Sequence, residues 1–122
     1  GVPIEISVDL GGRRIITKKK LIEQVLLNLV RNAVQAMSNK QGGRLVLRGS
    51  LDSRGRVILE VEDTGKGISP EMQEKVFVPF FSTKEEGSGI GLSFSRQVMQ
   101  RHGGTIRLQS EEGKGTTVRL HF

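Results

Sequence analysis

The sequence predicts an α/β protein, a two-layer α/β sandwich in which a mixed sheet packs under about three helices. Three observations predict it. Several segments alternate apolar and polar residues as half-buried strands do, most clearly 44–51 and 56–62. One long segment, Lys18 to Met37, is rich in Leu, Val and Ala and contains no Gly or Pro. Polar turn clusters separate the alternating segments in pairs, as hairpins require. The 122 residues suit one compact domain, 1–122.

The elements follow in order. Pro3 to Val8 alternates through Ile4, Ile6 and Val8 and reads as a strand, with Arg13 to Thr17 as a short partner. The long helix, 18–37, gives way to a polar loop from Ser38 to Gly43. The strands 44–51 and 56–62 form a hairpin across Asp52-Ser53-Arg54-Gly55. Ser69-Pro70-Glu71 is a helix start, with Ser as N-cap and Pro in the first helical position, and the helix ends near Val76. Val78 to Gly89, with Pro79, reads as an irregular, mobile loop. Ile90 to His102 is helical and stops at Gly103-Gly104. A second hairpin joins Thr105–Gln109 to Thr116–Phe122 across Glu111 to Gly115. There is no internal repeat, low-complexity tract or interdomain linker.

Composition removes several classes of function. With no cysteine, neither a disulfide framework nor a thiolate zinc site is available. No apolar run is long enough to span a bilayer. Residues 1–10 read as a strand rather than a signal peptide, so a cytoplasmic domain is expected. The formal net charge of +6 fits either a polyanionic partner or a solvated basic surface. Lys18-Lys19-Lys20 is the main cationic run, and no aromatic residue interleaves with it. A base-stacking platform, and so a nucleic-acid partner, is not expected.

Two glycine-spaced boxes stand out: Asp63-Thr64-Gly65-Lys66-Gly67-Ile68 and Gly87-Ser88-Gly89-Ile90-Gly91-Leu92. Glycine at such spacing permits positive φ or lets a backbone or ligand come close. Asp63 ends an alternating strand (Val57, Leu59, Val61), where a carboxylate can accept from an exocyclic amine; an aspartate starting a turn is the plain alternative. The second box leads into a helix, whose bare N-terminal amides suit phosphate, although a flexible loop entering a helix would look the same. Neither the dinucleotide G-x-G-x-x-G spacing nor a Walker lysine is present. On the long helix, Lys20, Gln24, Asn28, Arg31/Asn32 and Gln35 form a polar stripe. Asn28 and Asn32 lie one turn apart on one face. They are either solvated or present amide oxygens to a cleft, where one can ligate Mg²⁺ with substrate phosphates completing the shell. Lys84, in the irregular loop, is a point charge suited to closing over phosphate. Phe77, Phe80 and Phe81 anchor that loop or simply pack in the core. His102 and His121 have no neighbouring carboxylate or metal-spaced partner in sequence and read as structural.

In order along the chain, Asn28-Leu29-Val30-Arg31-Asn32-Ala33, Asp63 to Ile68, Phe77-Val78-Pro79-Phe80-Phe81, Gly87 to Leu92 and Gly113-Lys114-Gly115-Thr116-Thr117 resemble the ATP-binding catalytic domain of two-component sensor histidine kinases. The resemblance covers nearly the whole chain. It places the chain in the superfamily shared with gyrase, heat-shock chaperone ATPases and mismatch-repair ATPases, and implies the histidine-kinase ATPase-like fold. It implies ATP and Mg²⁺ as ligands, with Asp63 reading the adenine amino group. Ile68 and Leu92 would wall the base, with Thr117 nearby. Asn32 would ligate Mg²⁺ and Asn28 would orient water or the metal's outer shell. Lys84 would reach a terminal phosphate, Ser88, Gly89, Ile90, Gly91 and Leu92 would line the triphosphate, and the loop from Phe80 to Gly89 would be a lid hinged by Gly87, Gly89 and Gly91. Gly65 and Gly67 would turn the chain beside the base.

The sequence also departs from the family. Gln35 stands where many members carry a phosphate-contacting Lys, which leaves Arg31 or Gln35 for that contact. The helix opens on lysines rather than an acidic residue, against its dipole. No histidine is followed by an acidic residue, so the phosphoacceptor is expected on a separate dimerisation domain. The resemblance thus implies a monomeric module of a homodimeric parent, with a response regulator downstream, and leaves open whether the parent is membrane-anchored. Three other functions compete: an ATPase, an anti-sigma-type serine kinase and a binding-only nucleotide module. ATPases of the superfamily place Glu where Asn28 stands, and an amide cannot take a proton from water.

Overall fold

A computed structural model of the chain describes residues 4–8, 19–38, 42–79 and 92–122. In chain order these form strand β1 (Ile4–Val8), helix α1 (Lys19–Ala36), strands β2 (Leu45–Leu51) and β3 (Val57–Asp63), helices α2 (Pro70–Gln73) and α3 (Ser93–Arg101), and strands β4 (Thr105–Glu111) and β5 (Gly115–His121). The sheet runs β1-β2-β3-β5-β4. β1 pairs parallel to β2, through the α1 crossover that a parallel pair needs, and the other pairs are antiparallel. The expected mixed sheet under helices is what forms. The short strand expected at 13–17 lies outside the described residues.

Strand alternation decides which face the helices cover. Leu47, Val61, Val118 and Leu108 align across β2, β3, β5 and β4, as do Gly49, Leu59, Leu120 and Ile106 in the next row. Helix α1 lies against this face because its apolar residues recur every three or four positions: Ile22, Val25, Leu29 and Ala33, then Met37 beyond its end, are all buried. Its first turn carries no acidic residue. Burial of this apolar face therefore holds the helix without help from an acidic first turn. Ser69 caps α2 as its sequence predicts, accepting from the Met72 amide, but α2 is only four residues long. Val76 follows in a buried turn and receives the Leu92 amide at 2.9 Å, which fixes the entry to α3.

The opposite face of the sheet is solvated. Arg48–Glu62 at 2.8 Å and Arg119–Glu60 at 3.0 Å bridge neighbouring strands there. Such half-exposed pairs contribute little to stability.

His121 is structural, as read, but it does have a carboxylate partner. Its Nε2 lies 2.6 Å from Asp52 Oδ2, a carboxylate 69 residues away, so the end of β5 is tied to the β2–β3 turn. Asp52 Oδ1 also accepts from the Arg54 and Arg56 amides. The Arg56 amide above all holds the Asp52 carboxyl down, from 3.8 to about 2, helped by His121 and Arg54 against desolvation. A depressed carboxyl stabilises the fold above its unfolded value, and that contribution is lost as pH falls from 3.8 through about 2. Urea melts of Asp52→Asn should therefore show a shallower acid loss of stability across that window than the parent.

Candidate functional site

A cleft opens between the end of the sheet and the helices. Leu29, Asn32, Ala33 and Ala36 line it from α1, Val61 and Asp63 from β3, Leu108 from β4, and Thr116 and Val118 from β5; Gly67, Ile68 and Leu92 close it. Its enclosed space is small, about 20 Å³. Most of the lining is apolar, and its polar side chains are Asn32 on α1 and Asp63 and Thr116 on the sheet, a mix suited to a ligand with a few directional contacts. The two on the sheet come together by strand register. Asp63 pairs across the sheet with Thr116, and Thr116 with Ser110, one row beyond the apolar rows.

Asp63 is 7% exposed. Its Oδ1 accepts from the Gly65 amide at 2.8 Å, so the turn that follows the strand fixes the carboxylate. That turn is wedged between two other segments. The Lys66 amide donates to Ala36 O at 3.0 Å, at the end of α1, and the Gly113 amide donates to Lys66 O at 2.7 Å, from the β4–β5 turn. A Cβ on Gly65 would lie 2.6 Å from Ala36 O, and one on Gly67 would lie 2.2 Å from Glu111 O. Both glycines are therefore required by the protein's own backbone. Gly67 lines the cleft, whereas Gly65 packs against α1 and acts on the site through Asp63.

The remaining expected residues divide. Asn32, Ile68 and Leu92 line the cleft with Asp63. Asn28 and Gln35 are half-buried on α1 and Arg31 is exposed, and none of the three is among the lining residues. Thr117 is a correction. It pairs with Glu62 and Gln109 on the solvated face, whereas Thr116 pairs with Asp63 and is the threonine in the cleft. Alternation held the signal, because Thr116 shares its parity with the buried Val118 and Leu120. Ser110 and Gln73 were also missed: the Ile68 amide donates to Ser110 Oγ at 2.8 Å, and Gln73 Nε2 to Ile68 O at 2.7 Å. Lys84, Gly87, Ser88, Gly89, Ile90 and Gly91, with Phe80 and Phe81, lie outside the described residues. Phe77 packs against the core under the Arg96 guanidinium, 5.3 Å from its ring centre.

With this geometry in place, comparison with known proteins is decisive. The family described as histidine kinase-, DNA gyrase B-, and HSP90-like ATPase matches residues 17–122. The chain belongs to this family. The sensor histidine kinase ZraS of Salmonella typhi is 40% identical over 103 residues, covering 84% of this chain and 22% of that protein. The chain thus spans about a fifth of that relative's length. The catalytic domain of histidine kinase ThkA superposes with a TM-score of 0.83 at 30% identity, covering 99% of this chain and 78% of that one. Full-length ShkA, solved in complex with AMPPNP, superposes at 0.79 with 27% identity, covering 99% of this chain and 25% of that one. The two-layer sandwich is the fold of these histidine kinase ATPase domains.

The chemistry open to the site follows from its donors. Asn32 Nδ2 is buried and has no hydrogen-bond partner. Rotation about χ2 exchanges the amide nitrogen and oxygen, so the same position can present a carbonyl oxygen. Among the described residues no group of three His, Cys, Asp or Glu could hold a metal by itself. One neutral oxygen with no carboxylate cage fits Mg²⁺, which keeps waters and takes most of its shell from substrate phosphates. Among the described residues no helix is long and apolar enough to cross a membrane.

Proposed function

We propose that the chain is the Mg-ATP-binding catalytic domain of a sensor histidine kinase. In this reading it delivers the γ-phosphoryl group to a histidine on a separate dimerisation domain, and the phosphoryl group then passes to a response regulator. The observation that carries the proposal is the buried Asp63 carboxylate in a mostly apolar cleft that Asn32 also lines. A carboxylate there accepts from the exocyclic amine of adenine, while Val61, Ile68, Leu92 and Leu108 surround the ring. Mg²⁺, when bound, would neutralise phosphate charge, and the Asn32 amide is the residue that would hold it. Asn28 lies one turn before Asn32, and Lys84 with the amides of 87–92 would meet the phosphates. In the transfer the bond from the γ-phosphorus to the bridging oxygen breaks and ADP leaves with the electron pair. A P–N bond forms on the acceptor imidazole, which loses its proton. The protein's share is positioning and charge neutralisation.

Asn28 supports kinase over ATPase chemistry, because an amide cannot serve as general base for water. The experiment supplies γ-labelled ATP with and without a separately purified histidine acceptor domain. Label should pass to that domain and stay absent from the chain alone, and Asn32→Ala should remove the Mg²⁺ dependence of ATP binding. Stable self-labelling of the chain, release of phosphate without an acceptor, or unchanged Mg²⁺ dependence would count against the reading.

A further inference from the structure

Ser110 ends the covered face of β4, directly across from Thr116, which is itself across from Asp63. Its hydroxyl has three neighbours. The Ile68 amide donates to Oγ at 2.8 Å, Gly115 O lies 3.0 Å away, and Thr116 Oγ1 lies 2.8 Å away. A hydroxyl has one hydrogen and two lone pairs. Gly115 O can only accept, so the Ser110 hydrogen goes there. Ser110 then accepts from the Ile68 amide and from the Thr116 hydroxyl, and all three bonds are made. The reverse assignment, with Ser110 donating to Thr116, loses the bond to Gly115. Gln73 holds Ser110 in place from behind, its Nε2 reaching Ser110 O at 3.2 Å and Ile68 O at 2.7 Å.

The consequence falls on the cleft. Thr116 lines it, yet its only hydroxyl hydrogen is directed to Ser110, so toward the cleft that oxygen offers lone pairs alone. Asp63, beside it, is an acceptor as well. We propose that Ser110 is a positioning residue that makes the Asp63–Thr116 corner of the cleft acceptor-only, so that this corner favours a base with an exocyclic amine at C6 over a 6-oxopurine. The proposal rests on the reading of the cleft as a nucleotide site. Without Ser110 the Thr116 hydroxyl is released to donate into the cleft, where a 6-oxo group can use it.

ATP and ITP share ribose and phosphates and differ at the base edge, so they are the probes. Their affinities for the parent chain, Ser110→Ala and Ser110→Thr are measured by NMR titration, which reads millimolar binding. In Ser110→Ala the preference for ATP over ITP should fall by about tenfold, the effect of one reversed hydrogen bond. Ser110→Thr keeps a hydroxyl and should keep the parent preference. A purely structural role would weaken both nucleotides equally, so an unchanged ratio in Ser110→Ala overturns the proposal, as does an equal loss of preference in Ser110→Thr. Should Ser110→Ala fail to fold, Thr116→Val takes its place, and a parent-like ratio there overturns the proposal too. If the parent binds neither nucleotide, the nucleotide reading falls and takes this proposal with it. If the parent binds ATP and only the ratio fails to move, the polarity proposal alone is overturned.

Discussion

Asp63→Asn should lower ATP affinity by about a hundredfold while leaving the fold intact. The substitution is nearly isosteric. Its carbonyl oxygen can keep the bond from the Gly65 amide, 2.8 Å long in the parent, so the turn stays in place. The amide nitrogen replaces the other carboxylate oxygen, so under the base-reading role a donor meets the donor of the adenine amine. A charge-assisted bond to the base is lost, an effect on the order of 1–3 kcal/mol, and the opposed donors add to it. Calorimetric titration with ATP checks it, with thermal melting to show that the variant is folded. Affinity within about threefold of the parent in a folded variant would rule out base reading by Asp63. Asp63→Ala is a less clean test, because it also frees the Gly65 amide and loosens the turn.

The largest stability effect is expected at Gly67. Its φ is +72°, and a Cβ there would lie 2.2 Å from Glu111 O. The left-handed backbone costs a non-glycine residue about 1–2 kcal/mol, and forcing a methyl against backbone costs about 1–3 kcal/mol more. Gly67→Ala should therefore lower stability by about 3 kcal/mol and Tm by roughly 10 °C. Nucleotide binding should fail along with it, since the same turn carries Ile68 and orients Asp63. Gly113→Ala separates the two causes. Its φ is +85°, but nothing lies within 4 Å of its added Cβ. It should cost only the backbone share, about 1–2 kcal/mol. Equal losses in the two variants would remove the close approach as the reason for Gly67. Urea melts of both supply the comparison.

Much of this was legible in the sequence because it is local. The periodicity of Ile22, Val25, Leu29 and Ala33 announces α1 and its buried face, and Ser69-Pro70 announces α2. The alternation of 44–51 and 56–62 gives a hairpin whose observed strands, Leu45–Leu51 and Val57–Asp63, differ by one residue at the start of the first and at both ends of the second. The resemblance carried by Asn28, Asn32 and the glycine boxes led to the family that matches 17–122. What failed was pairwise and long-range. Thr116 and Thr117 are adjacent and chemically identical; alternation along β5 separates their faces, but only the pairing of β5 with β3 puts Thr116 beside Asp63. The tie from His121 to Asp52 joins residues 69 apart, beyond any sequence window.

The sequence by itself determined the fold class and most of the described elements, and offered the residue types for a candidate site, because helix and strand periods, caps and turn residues act over a few positions. Tertiary structure decided which of those residues meet. It gave Gly65 and Gly67 a steric reason in Ala36 and Glu111, segments that neither glycine adjoins in the chain. It brought Ser110, Thr116 and Asp63 into one row beside the cleft. The physical reason is that a hydrogen bond or a steric contact depends on distances of a few ångströms between chain segments, and register across a sheet, not order along the chain, sets those distances.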